Sequence, residues 1–128
     1  MPHSNADLLR RAFDAFGRDA LTVARTLAGD VVWRVPGDTV MSGEYRGRDD
    51  VLQFLRRTRT ESDNTYRTEL RYVVADDDRA VAVYRAQGER KGRALDIEQA
   101  LFCVIREDVL ADVTAVPLDY PAFVAFWS

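Results

Sequence analysis

Between residues 30 and 51 the chain changes character, and that change restricts the fold more than any other feature. Asp30-Val-Val-Trp-Arg-Val-Pro-Gly37 is β-branched and aromatic until Pro36-Gly37 breaks it, and Gly43 and Gly47 then mark turns around a short extended Glu44-Tyr45-Arg46. The residues before this stretch read as helix, and most of those after it read as strand. A helical layer therefore gives way to a sheet here.

Ahead of it, Leu8, Leu9, Ala12, Phe13 and Phe16 share one face of a helix predicted over residues 5–17, capped by Ser4 or Asn5 and stopped at Gly17. Asp19 can cap a second helix, where Leu21, Val23, Ala24, Leu27 and Ala28 recur at helical spacing until Gly29. Asp49 or Asp50 starts a third, with Val51, Leu52, Phe54 and Leu55 on its apolar face and a polar loop from Thr58 to Asn64 after it. From Thr65 the chain reads as four strands, 65–75, 79–89, 93–106 and 109–117, with turns at Asp76-Asp77-Asp78, Lys91-Gly92 and Glu107-Asp108. Connections this short make successive strands antiparallel neighbours. Asp119-Tyr-Pro121 then opens a short terminal helix through Phe123, Phe126 and Trp127. The predicted class is α+β: three N-terminal helices packed on a strongly curved, mostly antiparallel sheet, with a short C-terminal helix. A sheet curled around short helices tends to enclose a pocket.

With 128 residues, 47% of them hydrophobic, and no shift of composition along the chain, one domain over residues 1–128 is expected. The net charge of −3 has its signs interleaved, so nucleic acid is not an expected partner. No apolar run approaches a membrane span, and Met-Pro-His-Ser-Asn-Ala-Asp lacks a signal-peptide core, so a cytoplasmic protein without membrane attachment is expected. One cysteine, Cys103, excludes an internal disulfide, and one histidine, His3, leaves no soft-ligand set for a transition metal. No convergent carboxylate cluster suggests magnesium, so no metal and no organic cofactor is expected. Cys103 lies in Ala100-Leu-Phe-Cys-Val-Ile105 and reads as a small buried hydrophobe, with no histidine to activate it.

The order of elements, with Asp30-Val-Val-Trp-Arg-Val-Pro-Gly37, Tyr45-Arg-Gly-Arg-Asp-Asp-Val51, Glu89-Arg-Lys-Gly-Arg93 and Phe126-Trp127, resembles the nuclear transport factor 2-like superfamily. Within it, the resemblance is to the SnoaL-like polyketide cyclase and ketosteroid isomerase-like branch, from about residue 6 to residue 128. That resemblance implies a conical pocket between a curved sheet and three helices. It also implies a homodimer that packs the outer face of the sheet. Its motifs are mostly structural, so they speak to fold more than to chemistry.

The known chemistries of the superfamily fit poorly. Ketosteroid isomerase needs a carboxylate base before the proline of its first strand, where Val35 stands. Its tyrosine falls near Arg11 and its aspartic acid donor near Ala100. The Arg-x-Asp pair of limonene epoxide hydrolase-like members falls near Ala82 and Tyr84, and their last-strand aspartate near Val113 or Ala115. SnoaL-like cyclases use a His and Asp pair; His3 lies before the first helix, although Asp112 is within a residue or two of the aspartate.

Strand alternation then nominates the pocket residues. If Val35 points inward, so do Trp33 and Val31; if Ala100 points inward, so do Glu98 and Phe102. A one-residue slip would exchange Glu98 for Gln99 and Trp33 for Arg34. Glu98 reads either as a general base or neutral donor, or as a rim carboxylate paired with Arg85 or Arg93. Tyr84, at a functional position of the resemblance, and Asp112 complete the candidate catalytic set. Trp33, Val35, Tyr45, Phe54, Ala100, Phe102 and Val113 are the candidate ligand-binding residues. The function expected first is a cofactor-independent enzyme that cyclises, isomerises or dehydrates a small, largely apolar polyketide- or terpenoid-like intermediate of secondary metabolism, and the alternative is a non-catalytic binder or scaffold for such a molecule.

Overall fold

The computed structural model describes residues 4–128, and His3 lies outside the described residues. In chain order the elements are α1 (Ser4–Ala15), α2 (Ala20–Arg25), β1 (Leu27–Val35), β2 (Gly43–Arg46), α3 (Arg48–Thr60), β3 (Arg67–Ala75), β4 (Arg79–Arg90), β5 (Arg93–Arg106), β6 (Val109–Pro117) and α4 (Tyr120–Trp127). The expected α+β class holds.

The strands form one six-stranded sheet in the order β2-β1-β6-β5-β4-β3. Two hairpins set its register. Lys91 and Gly92 (φ 51° and 75°) and Glu107 and Asp108 (φ 53° and 65°) both adopt left-handed backbone, the conformation of tight hairpin turns whose twist matches the strands they join. The first turn places Arg90 opposite Arg93 and therefore Tyr84 opposite Gln99. All neighbours are antiparallel except β1 and β6, which run parallel with Trp33 beside Val113.

The second helix is shorter than its pattern predicts. The helical spacing of Leu21, Val23, Ala24, Leu27 and Ala28 points to a helix reaching Gly29, but α2 stops at Arg25. Thr26 turns its amide and its hydroxyl back onto the carbonyl of Val23, and its own carbonyl accepts from Leu110 N at 2.8 Å. The hydrogen bonds offered by β6 thus outweigh a weak helical propensity, and Leu27 opens a strand instead.

The concave face of the sheet carries the core. Ala75, Ala80, Cys103, Val113, Trp33 and Tyr45 stand side by side across all six strands, and Val73, Ala82, Leu101 and Ala115 form the next row. The convex face has its own apolar rows, Val74-Val81-Phe102-Thr114 and Tyr72-Val83-Ala100-Val116. Across the concave side lie α1, α3 and α4, with Leu8, Leu9, Val51, Phe126 and Trp127 almost fully buried.

Candidate functional site

Small side chains on the concave face leave room beneath the helices. Ala115 on β6 is buried and short at the floor of this space, while α1, the turn after it, α3 and α4 bring down Leu9, Phe13, Phe16, Phe54, Leu55, Phe123 and Trp127. What remains between them is a cavity of about 100 Å3. That is comparable with the ~150 Å3 apolar cavities that take up a benzene-sized molecule. Trp33 and Val35 of β1 and Leu101 of β5 complete the apolar wall.

Polar groups are few and uncharged: Thr26, Thr58, Tyr66, Thr68, Tyr84 and Gln99. The Thr26 and Thr58 hydroxyls donate to the carbonyls of Val23 and Leu55, each at 2.6 Å, and so are already satisfied. Gln99 Nε2 donates to the Tyr84 hydroxyl at 2.7 Å, whereas Gln99 Oε1 is buried without a hydrogen-bond partner. Tyr66 is half-buried over its whole surface, yet its surroundings are apolar enough that burial pushes its phenol up to about 12, opposed by hydrogen bonding from Gln99 and Tyr84. Burial also raises Tyr84 well above the usual phenol value, and the neighbouring Tyr66 raises it further. Both phenols are therefore protonated at neutral pH, suited to donating hydrogen bonds rather than to accepting a proton. The Phe13 ring lies 4.9 Å from Tyr84, and Phe16 meets Tyr66 edge-on at 6.2 Å.

Of the residues nominated from sequence, Trp33, Val35, Phe54 and Tyr84 line this cavity, and the Trp33 and Phe54 rings lie 5.9 Å apart. Tyr45 stacks behind Phe54 at 4.5 Å and donates its hydroxyl to the Met41 carbonyl at 2.7 Å, so it supports the wall without forming it. Val113 is fully buried between Cys103 and Trp33 in the concave row.

The inward register expected for Ala100, Glu98 and Phe102 is corrected by the turn at Lys91-Gly92. With Tyr84 opposite Gln99, Ala100 lies beside Val83 on the convex face, and Glu98 and Phe102 go with it. The Glu98 carboxylate is exposed and sits 3.6 Å from Arg71, while Phe102 is 51% exposed. Arg85, one expected partner of Glu98, pairs with Asp96 instead at 2.6 Å. Asp112 is likewise convex: both its oxygens accept from Arg34 Nη1, at 2.7 and 2.8 Å, and Arg34 Nε donates to Glu44 at 3.0 Å. The alternative one-residue slip thus applies to β5, where Gln99 faces in, but not to β1, where Trp33 keeps its inward place. Cys103 is buried, and burial pushes its thiol up to about 12, as befits a core residue.

Sequence reasoning left Tyr66 and Gln99 outside the candidate set. A two-residue turn at Lys91-Gly92 would have found Gln99, because it makes Tyr84 and Glu98 incompatible as inward neighbours. Among the described residues, no three His, Cys, Asp or Glu side chains are placed to share a metal ion, and no helix is long and apolar enough to cross a membrane.

Comparison with known proteins agrees with this geometry. The SnoaL-like domain matches residues 9–113. The chain is 32% identical over 127 residues to uncharacterized protein Rv0034 of Mycobacterium tuberculosis, covering 98% of this chain and 97% of the relative. The solved structure of Bal32a, from a soil-derived mobile gene cassette, superposes with a TM-score of 0.94 at 26% identity, over 98% of this chain and 97% of that one. An NTF2-like protein of unknown function from Burkholderia pseudomallei K96243 superposes with a TM-score of 0.86 at 20% identity, over 99% of each chain. TerC, co-crystallized with polyporic acid, does so with a TM-score of 0.83 at 18% identity, over 97% of this chain and 98% of that one. The last two likenesses speak to the fold. The cone of curved sheet and covering helices, together with the family match from α1 into β6, makes this chain a member of the SnoaL-like family, with the nuclear transport factor 2-like fold.

Proposed function

We propose that this protein is a receptor for a small, neutral, largely apolar organic molecule held in the cavity under the helices. The observation that carries this reading is the composition of the wall: among the described residues it contains no Asp, Glu, His, Lys or Arg. Proton transfer needs a base within hydrogen-bond reach of the reacting atom. Glu98 and Asp112 lie on the opposite face of the sheet, in ion pairs with Arg71 and Arg34. A wall of aromatic and aliphatic side chains with a few polar points suits binding and orientation. TerC, which shares the fold, was crystallized with polyporic acid, and this agrees with an organic ligand in such a cone.

A second reading, a cofactor-independent cyclase, isomerase or dehydratase for a polyketide- or terpenoid-like intermediate, has one observation in its favour. Tyr66, Tyr84 and Gln99 bring neutral hydrogen-bonding groups to one cavity, an arrangement that can stabilise a developing enolate oxygen. The same proposal includes a cytoplasmic homodimer. Tyr72, Val74 and Phe102 are each more than half exposed on the convex rows, and a second copy packed there would cover them.

A thermal-shift screen of single-ring aromatic, terpenoid and short polyketide-like compounds tests both readings, with mass spectrometry of the recovered compound. A receptor is stabilised by ~2.7 kcal/mol at a hundredfold excess over Kd and returns its ligand unchanged. Recovery of a converted product favours the enzyme, and a screen in which nothing shifts the Tm refutes the cavity as a ligand site.

A further inference from the structure

We infer that the cavity selects a neutral molecule bearing a hydroxyl group on a single ring or a short carbon skeleton, and that Gln99 is the residue that recognises it. The inference rests on the reading of the cavity as a ligand site and adds the chemistry of the occupant.

Gln99 is 4% exposed. Its amide offers two N–H donors and a carbonyl oxygen that accepts. Nε2 is committed to Tyr84 at 2.7 Å, and Oε1 has no partner. A buried acceptor left unmet is a defect that native proteins rarely keep, and one that a donor from outside can repair. Tyr84 does not repair it: its hydroxyl meets the amide at Nε2, and no donor reaches Oε1. Tyr66, which shares its surroundings with Gln99 and Tyr84, is a protonated phenol whose oxygen can accept and whose proton can be donated.

The occupant is identified by elimination. No charged side chain lines the cavity among the described residues, so neither an anion nor a cation would find a countercharge in a wall of low polarity. A ketone or an ether brings only acceptors and leaves Oε1 unmet, and a hydrocarbon brings nothing. A hydroxyl donates to Gln99 Oε1 and can accept from Tyr66. The volume of about 100 Å3 limits the carbon skeleton to about one ring. A site with a buried acceptor that a hydroxyl satisfies discriminates strongly against analogues without a donor.

The test uses the intact chain and four probes of similar size, p-cresol, toluene, anisole and acetophenone, measured by isothermal titration calorimetry. p-Cresol should bind at least about tenfold more tightly than each of the others. In Gln99→Met, which keeps the length of the side chain and removes the amide, the preference should fall to within about twofold while toluene affinity is kept. Equal binding of toluene and p-cresol to the unaltered protein overturns the inference and leaves the ligand site standing. Preference for acetophenone or anisole overturns it as well, because the unmet amide atom would then be a donor. A p-cresol preference that survives in Gln99→Met overturns the role of Gln99. Binding of none of the four up to their solubility overturns both the inference and the reading it rests on.

Discussion

Arg90 offers a test of how α4 is held on the fold, since its side chain is only 3% exposed at the end of β4. Nη1 donates to the Phe126 carbonyl at 3.3 Å and to the Ser128 carbonyl at 2.5 Å, Nη2 donates to Glu61 at 3.2 Å, and Nε has no partner. The last carbonyls of a helix lack donors of their own, and a cation among them is favourable. Replacing Arg90 with Met keeps most of the apolar stem and deletes these bonds. Hydrogen bonds from a charged donor contribute ~1.5–3 kcal/mol each, which makes the two carbonyl bonds the main loss. Glu61 is 34% exposed, so its pair adds only ~0–1 kcal/mol. Relief of guanidinium desolvation, made larger by the unmet Nε, offsets part of the loss. The balance is a loss of about 3 kcal/mol, at the lower end of the range for breaking a buried charged network. For a chain of this length that is a fall in Tm of about 12 °C, measured by circular dichroism or calorimetry. Because Phe123 and Trp127 of α4 line the cavity, ligand affinity should fall with it. Glu61→Gln is the control, with a fall below about 4 °C. A fall of less than about 4 °C in Arg90→Met would mean that water satisfies the α4 carbonyls and that the guanidinium is not the anchor.

The same geometry sets three further outcomes. Both cavity phenols are harder to ionise in the folded protein than at the ~10 usual for an unfolded chain, so the unfolded state loses protons first on raising the pH. Stability should be full below about pH 10 and fall from there toward the Tyr66 value of about 12, with a shallower fall in Tyr66→Phe, as read by urea midpoints across that range. Glu98→Gln and Asp112→Asn should each leave the Kd of a cavity ligand within about twofold, because both side chains are on the convex face; a tenfold loss in calorimetry would bring a carboxylate back to the ligand. Trp33→Ala should lose ~3–5 kcal/mol in chemical denaturation and also weaken ligand binding, and an unchanged affinity would remove Trp33 from the contact surface.

The meander was legible in the sequence because its signals are local. β5 and β6 have the predicted bounds, and the Lys91-Gly92 and Glu107-Asp108 turns stand where the strand pattern pauses. The end of α2 was not legible, because the carbonyl of Thr26 is claimed by Leu110, far along the chain. The cavity wall was legible in part. Trp33 and Val35 can be read from alternation on β1, whose buried positions are strictly periodic from Val31 onward. On β5 the same rule started from Ala100, which is buried on the convex face beside Val83. Ala100 alone breaks the alternation of buried positions that runs on β5 through Leu95, Ile97, Gln99, Leu101, Cys103 and Ile105, so a register started from it is one residue out, and the hairpin pairing restores it. The pairing of Tyr66 with the β4 and β5 polar groups depends on how the chain leaves α3, where Asp63 and Asn64 adopt left-handed backbone at φ 52° and 63°, and no periodicity reports that.

The parallel neighbours β1 and β6 give the chain an order of assembly. Trp33 meets Val113 only after on the order of 80 intervening residues exist, which is ~4–16 s of synthesis at ~5–20 residues per second. The β4 and β5 hairpin can form meanwhile from sequence-local contacts, and Trp33 has its nearby partners Tyr45 and Phe54, but the β6 edge of β1 waits for Val113. Because β1 closes one side of the cavity, the binding chamber is among the last parts to be completed. An occupant that binds only the completed chamber therefore slows escape from the native state and does little to hasten arrival there.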